Sequence, residues 1–464
     1  MASNAGVLGR AVHRAWQNAG RRIVAGQPIP ETHPELFAEG ELLPGVSGNE
    51  FADRRRRLSE LLSPGSVAVI PAAPVQFMAG AIPYPYRQDA DFLYLTGIQQ
   101  QAVAVIESAA SGGVYTLFVP QSEKAQWDGA RMNCDAAVDV FGADDAYPMT
   151  ELARRLHPIV NNASAVLYEA SSGGGVVHRE VRQLYAAMEA GQVKALRATL
   201  HQMRWRKSLT EVNMMRASAS ASAGAMLRCM QQSRPGVHEQ QLAASFEYDC
   251  KVAGAQRMAY PLVVAGGVDA CTIHYTRNDK RVEDGSVLLM DAGCELHGYA
   301  SDVTRTWPVT GRFSSAQRDL YEVVLDTHRQ CIEACRPGAT LRSIHQLSVT
   351  LLSQGLAQLR IFGNMSGSHI MSNTYRTAYP HSVGHWLGMD THDTSSVSHD
   401  TPLEPGVVLT VEPGLYIPDE ERYGRFAGVG VRIEDDVAVT AGAPEVLSAG
   451  VPVAAEDVER VVRP

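Results

Sequence analysis

The chain has 464 residues, 45% of them hydrophobic and 20% charged, with a formal net charge of −9. That length exceeds one ordinary core and calls for two domains, and the composition is that of a globular protein. The acidic balance argues against nucleic acid, which would need a basic face, and no apolar run reaches the roughly 18 residues of a membrane span.

In chain order, residues 1–30 carry Arg10, Arg14, Arg21 and Arg22 and neither Asp nor Glu. The segment VLGRAVHRAWQNAGRRIV mixes arginine with apolar residues at roughly helical spacing. That is the composition of an organellar transit segment, without the apolar centre of a secretory signal. The Pro-rich GQPIPETHPEL extends the tail, residues 1–40, toward a first domain over 41–200. There a helical run, EFADRRRRLSELL, precedes the strand SVAVIP, the segment PYPYRQDADFLYLTG and the strand candidates AVAVIES and VYTLFVP, the pattern of a small α/β domain. The basic run Arg54 to Arg57 reads as a solvated helix face. Seven cysteines in scattered spacing, with no CxxC pair, read as reduced thiols of a non-secretory compartment. Cys331 and Cys335, four apart on a helical stretch, are expected on one buried apolar face.

The second domain, 201–464, opens at Ser208 and Glu211, a capping-box pair that starts a helix. This helix ends at Arg234-Pro235-Gly236. The order then repeats. CMQQSRPG and CIEACRPG each place a Cys, Cys229 or Cys331, five residues before Arg-Pro-Gly. Each is followed by a second helical stretch and by β-rich segments with two acids, Asp291 and Asp302, then Glu412 and Glu434. This implies two similar halves across a pseudo-two-fold axis with a site between them.

Four acids brought together would repel and raise one another's pKa. Two divalent cations would remove the objection and make a hydrolytic centre. GSVLLMDAGCEL and HGYASDVTRTWPV read as a hairpin turning at Leu296-His297. That register sets Asp291 directly opposite Asp302, with Cβ atoms about 5 Å apart. GVVLTVEPGLYI and GVGVRIEDDVAVT form a second strand pair carrying Glu412 and Glu434. Glu420, Glu421, Asp435 and Asp436 read as solvated acids. His381, His385 and His392 lie within twelve positions of HSVGHWLGMDTHD, beside glycines that make a loop as reasonable as a helix.

The order MDAG, SDVTRTWPV, GHWLGMDTHD, TVEPGLY and VRIEDD resembles the metal-binding pattern of the aminopeptidase P and prolidase group of pita-bread metallopeptidases. IHYTRND resembles the segment holding that group's active-site histidine, here His274. YRQDADFLYLTG resembles the signature of the aminopeptidase P amino-terminal domain. The resemblance runs from about Leu43 to the C-terminus. PHSVGHWLGMDTHDT with IPYPYRQDADFLYLTG looks most like the organellar Xaa-Pro aminopeptidase and intermediate-cleaving branch. One departure is Leu93, where bacterial members often carry an aromatic residue; the strictness of a proline preference turns on whether that side chain reaches a partner subunit's pocket.

The resemblance implies an α/β (α+β) chain with a pita-bread catalytic domain. It implies that Asp291 binds one metal, that Asp302 and Glu434 bridge two, and that His385 and Glu412 complete the second. This oxygen-rich set suits Mn²⁺ and could hold Zn²⁺, Co²⁺ or Mg²⁺. Glu412 is the expected general base, protonated His392 or His274 the oxyanion donor, and His381 a gate on the leaving side. Arg432 is expected to orient Glu434 or pair with another acid, and Tyr416 either holds this geometry or is simply packed. The implied function is removal of one amino-terminal residue, often before proline, from peptides or imported proteins in mitochondria or plastids. Group members are often dimers or tetramers, so the resemblance allows a homodimer without choosing between these assemblies. The alternatives are a prolidase-like dipeptidase and an inactive peptide-binding module. Without GxSxG, and with no base beside Cys294, serine and cysteine hydrolases have no support.

Overall fold

The computed structural model describes residues 23–120, 125–168 and 193–462. The arginines of the tail, Arg10, Arg14, Arg21 and Arg22, lie outside the described residues. The packing divides into two compact units between Leu200 and His201.

In the first unit, helix α1 (Gly48–Leu61) starts at Ser47, whose hydroxyl accepts the Glu50 N–H at 3.2 Å. The sheet contains β1 (Val67–Pro71), β2 (Val103–Glu107), β3 (Tyr115–Val119), β4 (Asp145–Pro148), β5 (Val166–Tyr168) and β6 (Val193–Ala195), in the order β6-β5-β1-β2-β3-β4. Val67, Val69, Val105 and Phe118 pack there against Leu152, Leu156 and Val160.

The basic run departs from expectation, because Arg54 and Arg55 are buried and only Arg56 and Arg57 face solvent. Their guanidiniums donate to the carbonyls of Tyr94 (3.1 Å) and Leu95 (2.9 Å), near the end of helix α2 (Ala90–Thr96). Final-turn carbonyls lack intrahelical donors and favour cations, which explains the burial. Leu93, on the same helix, is 6% exposed and is packed rather than projecting.

The second unit repeats itself. Helices α3 (Leu209–Gln232) and α4 (Glu239–Val252) precede strands β7 (Val263–Gly266), β8 (Val287–Ala292), β9 (Cys294–Leu296), β10 (Tyr299–Ala300) and β11 (Val303–Pro308). Helices α5 (Ser315–Glu333) and α6 (Leu341–Gln358) precede β12 (Val408–Val411), β13 (Gly414–Tyr416), β14 (Gly430–Arg432), β15 (Asp435–Ala438) and β16 (Glu445–Val446). Each half holds a three-stranded sheet, β7-β8-β11 in the first and β12-β15-β16 in the second. Ser208 and Glu211 form the expected capping box at the start of α3.

Hydrogen bonds bear out the Arg-Pro-Gly repeat. Gly236 N–H donates to Val282 and Val282 N–H returns to Val237; likewise Gly338 donates to Leu403, which returns to Ala339. The thiol of Cys229 reaches the Leu242 carbonyl and that of Cys331 the Ile344 carbonyl, both thirteen residues on. Cys331 and Cys335 are fully buried, and all seven cysteines are free thiols.

The halves are stitched where β11 meets the second acidic segment. Glu434 N–H donates to the Thr304 carbonyl at 3.0 Å, and Thr306 exchanges bonds with Arg432 at 2.9 and 3.1 Å. Asp302, just before β11, is thereby brought beside Glu434.

Candidate metal centre

Asp291 lies on β8, but Asp302 is not its partner. The hairpin turns one residue later than expected, at His297-Gly298, both with positive φ (50° and 86°). A two-residue turn of this kind matches strand twist and favours glycine at its second position. The register therefore pairs Asp291 with Thr304 and leaves Asp302 outside the ladder. The ladder is interrupted at Gly293, where the Ser301 carbonyl comes so close that a Cβ would lie 1.8 Å from its oxygen. Asp291 and Asp302 still meet, because the Tyr260 hydroxyl lies within hydrogen-bond distance of both, 2.7 Å from Asp291 and 2.5 Å from Asp302, and its one proton bridges them.

In the second half, Glu412 follows β12 and Glu434 follows β14. His385 sits on an irregular segment rather than a helix, held against β12. Thr410 N–H donates to the His385 carbonyl at 2.9 Å, and Glu412 N–H to the Val383 carbonyl at 2.7 Å. Gly384 permits this approach, since a Cβ there would stand 1.9 Å from the Thr410 carbonyl oxygen.

The five residues converge. One ligand atom each of Asp302, His385 and Glu434 lies within 4.8 Å of the others. His385 Nε2 stands 3.4 Å from Asp302 Oδ2 and 3.7 Å from Glu412 Oε1. His385 Nδ1 donates to the Trp386 carbonyl at 3.2 Å, which turns Nε2 toward the acids.

Electrostatics reflect the crowding. Burial, with the charges of Asp302 and Asp291, pushes Glu412 up to about 7 against the pull of His385 and Arg432. Burial and the other three acids push Glu434 well up, and burial also raises Asp291 despite Arg432. Burial opposes charge on His385, but its hydrogen bond to Asp302 and the neighbouring carboxylates push it up to about 9.

Residues 213–441 match metallopeptidase family M24, and residues 51–168 match the aminopeptidase P N-terminal domain. The chain is 43% identical over 440 residues to mitochondrial intermediate cleaving peptidase 55 of Arabidopsis thaliana, covering 94% of this chain and 87% of that one. It is 37% identical over 457 residues to Xaa-Pro aminopeptidase 3 of Homo sapiens, covering 94% and 90%. This chain belongs to metallopeptidase family M24. Pseudomonas aeruginosa aminopeptidase PepP superposes on it with a TM-score of 0.84 at 36% identity, covering 90% of this chain and 98% of that one. Escherichia coli aminopeptidase P with the inhibitor Pro-Leu gives 0.85 at 33%, again covering 90% and 98%. The M24 protein is a metallo-aminopeptidase of the aminopeptidase P kind, with a pita-bread catalytic domain that follows the amino-terminal domain in the chain.

Membership in a metallopeptidase family implies divalent metal ions, and the donor set fits them. Carboxylate oxygens are hard ligands, the imidazole turns its Nε2 toward the acids, and a cation among them would favour their charged forms.

Arg432 of the M24 enzyme is 2% exposed, not a surface side chain. It donates to Asp291 (2.6 Å), to the Tyr416 hydroxyl (2.8 Å) and to Thr304 (3.1 Å). Thr304 in turn donates to Glu434 at 2.6 Å. Arg432 thus touches both acids it was expected to choose between, one directly and one through a hydroxyl. Tyr416 also hydrogen-bonds His381 Nε2 at 2.8 Å, while His381 Nδ1 faces the Ser382 carbonyl at 2.7 Å. Burial, with the charge of Arg432, holds His381 down at about 3, so it is neutral. The His392 ring centroid lies 4.4 Å from that of His385, and burial and the His385 charge lower its pKa. Both effects disfavour the imidazolium form expected of it. His274 is exposed.

Two acids depart from the sequence reading. Asp435 and Asp436 are 3% and 1% exposed, whereas Glu420 and Glu421 face solvent as expected. Asp435 pairs with Arg305 (2.7 Å) and His328 (3.2 Å) and accepts the Ser448 hydroxyl at 2.6 Å. Arg305 also donates to the Glu434 carbonyl at 2.6 Å, which anchors that residue's main chain. Tyr260, in MAYPLV, carries no sequence signal that would have found it.

Proposed function

We propose that this M24 enzyme removes a single residue from the amino terminus of peptides or imported proteins, often before proline, in mitochondria. The observation that carries this reading is the convergence of Asp302, His385 and Glu434 ligand atoms within 4.8 Å, with Glu412 against His385 and Asp291 tied to Asp302. Four acids and one imidazole have the charge to hold two divalent ions, and Mn²⁺ suits their oxygen-rich character. Such ions supply an activated water and positive charge at the scissile carbonyl.

The remaining chemistry belongs to the chain. Glu412 accepts the water's proton and returns it to the leaving nitrogen. His392 and His274 offer N–H groups to the developing oxyanion. His381, oriented by Tyr416 and Ser382, stands on the leaving side. Arg432 keeps Asp291 in place. The similarity to human Xaa-Pro aminopeptidase 3 and to a bacterial aminopeptidase P solved with Pro-Leu supports a proline preference. The similarity to a plant mitochondrial peptidase, together with the arginine-rich tail, supports the address and leaves plastids as the second compartment.

Xaa-Pro peptides of two, three and ten residues, with matched sequences lacking proline, test the reading after Mn²⁺ loading. Release of one residue from the longer peptides is expected. Cleavage of the dipeptide alone would make the enzyme a dipeptidase, and no cleavage at all would leave a binding module. Comparison of mitochondrial amino termini with and without the enzyme tests substrate and compartment together.

A further inference from the structure

Two metal-ligand candidates, Asp302 and His385, sit on segments with no strand ladder of their own. Asp302 falls between strands ending at Ala300 and starting at Val303, and His385 lies in an irregular stretch. Something else must fix their main chains. That something is a single rung of the second half's sheet.

Thr410 and Asp436 stand directly opposite each other where β12 pairs with β15, at 0% and 1% exposure. The Thr410 hydroxyl accepts the His385 N–H at 3.1 Å, and the Thr410 N–H donates to the His385 carbonyl at 2.9 Å. Both carboxylate oxygens of Asp436 lie 3.2 Å from the Asp302 N–H. The Asp436 N–H is tied to the Ser448 hydroxyl at 3.1 Å. From this rung the two side chains meet, His385 Nε2 to Asp302 Oδ2, at 3.4 Å. A buried carboxylate satisfied by one main-chain amide is costly. None of the chemistry proposed above uses it. Its geometry makes sense as a brace.

We propose that the Thr410–Asp436 rung is the outer frame of the metal centre. Its members are positioning residues that set metal affinity by fixing the main chains of Asp302 and His385. The inference rests on reading those two residues as ligands.

The test measures Mn²⁺ affinity of the full-length metal-free chain by competition with a fluorescent chelator, with thermal unfolding of the same samples alongside. Asp436→Ala and Thr410→Val should raise Kd by about 10–100-fold, the usual effect of losing a partner behind a ligand. Asp436→Asn and Thr410→Ser keep an acceptor oxygen and should stay within about threefold of wild type. Should Asp436→Ala not fold, the Asp436→Asn and Thr410→Val measurements still decide. If Asp302→Asn loses metal while Thr410→Val and Asp436→Ala bind like wild type, the frame is overturned and the ligand reading survives. Conservative variants as weak as the disruptive ones would also overturn it. If Asp302→Asn binds Mn²⁺ as wild type does, the ligand assignment itself has failed.

Discussion

Glu412→Gln should separate catalysis from stability. The Glu412 side chain is 18% exposed and lies 3.7 Å from both His385 and His381. Burial and neighbouring acids push its carboxyl from 4.5 to about 7 in the fold. That difference corresponds to about 3 kcal/mol held against the charged form. Below pH 4.5 the carboxyl is protonated both folded and unfolded, so nothing is lost. As pH rises through 7 the folded carboxyl ionises against its neighbours, and stability falls. The amide has no charge to lose. In chelator, urea unfolding of the variant should therefore exceed wild type by about 2–3 kcal/mol near pH ~8 and match it near pH ~4. Over the same substitution, kcat of the metal-loaded enzyme should fall by about 10²–10⁴-fold, the usual loss for a general base. A metal-free variant less stable than wild type at the higher pH, or a kcat within about tenfold of wild type, would refute the reasoning.

Lys207→Met leaves Asp393 with Arg204 as its remaining cation, removing a buried contact of 3.1 Å. Breaking a buried pair costs about 3–5 kcal/mol, and because Asp393 anchors the loop carrying His392, kcat should drop while bound metal is unchanged; an unaltered urea midpoint would contradict this. Burial pushes Asp435 up, yet the Arg305 charge and the His328 hydrogen bond outweigh it and hold the carboxyl far below the usual range. Its stabilisation is present above the unfolded value of about 3.9 and is lost as pH falls below that, so Asp435→Asn should flatten the acid limb of unfolding and lower stability at neutral pH. A parallel acid limb in wild type and variant would show that Asp435 does not contribute. Cys229 and Cys331 are 0% exposed, with thiols pushed up to about 12 by burial. They should resist iodoacetamide in the folded enzyme and react in guanidinium, and mass spectrometry finding either one labelled in native protein would disprove the packing.

Much of the centre was legible because ligand chemistry restricts residue type wherever the chain goes. Asp291, Glu412 and Glu434 stood out as acids after apolar runs, Asp302 as the expected hairpin partner of Asp291 and His385 as one of three histidines beside glycines, while the resemblance to the aminopeptidase P group joined them as a ligand set. The Ser208–Glu211 cap and the Arg-Pro-Gly repeat were legible because both act over a few residues. The hairpin register was missed by one residue although His297-Gly298 carried the signal, a glycine in the second turn position between apolar strands. Asp435 and Asp436 look like any charged strand end; what buries Asp435 is Arg305, 130 residues away. Arg54 and Arg55 were misread for the same reason, since their partners Tyr94 and Leu95 are 40 residues on.

The sequence alone determined which groups could perform the chemistry and where local elements begin and end. Tertiary structure decided which of neighbouring acids turn inward. Strand side chains alternate faces, a one-residue shift exchanges them, and a buried charge is tolerated only where a distant segment supplies its counter-charge or hydrogen bond.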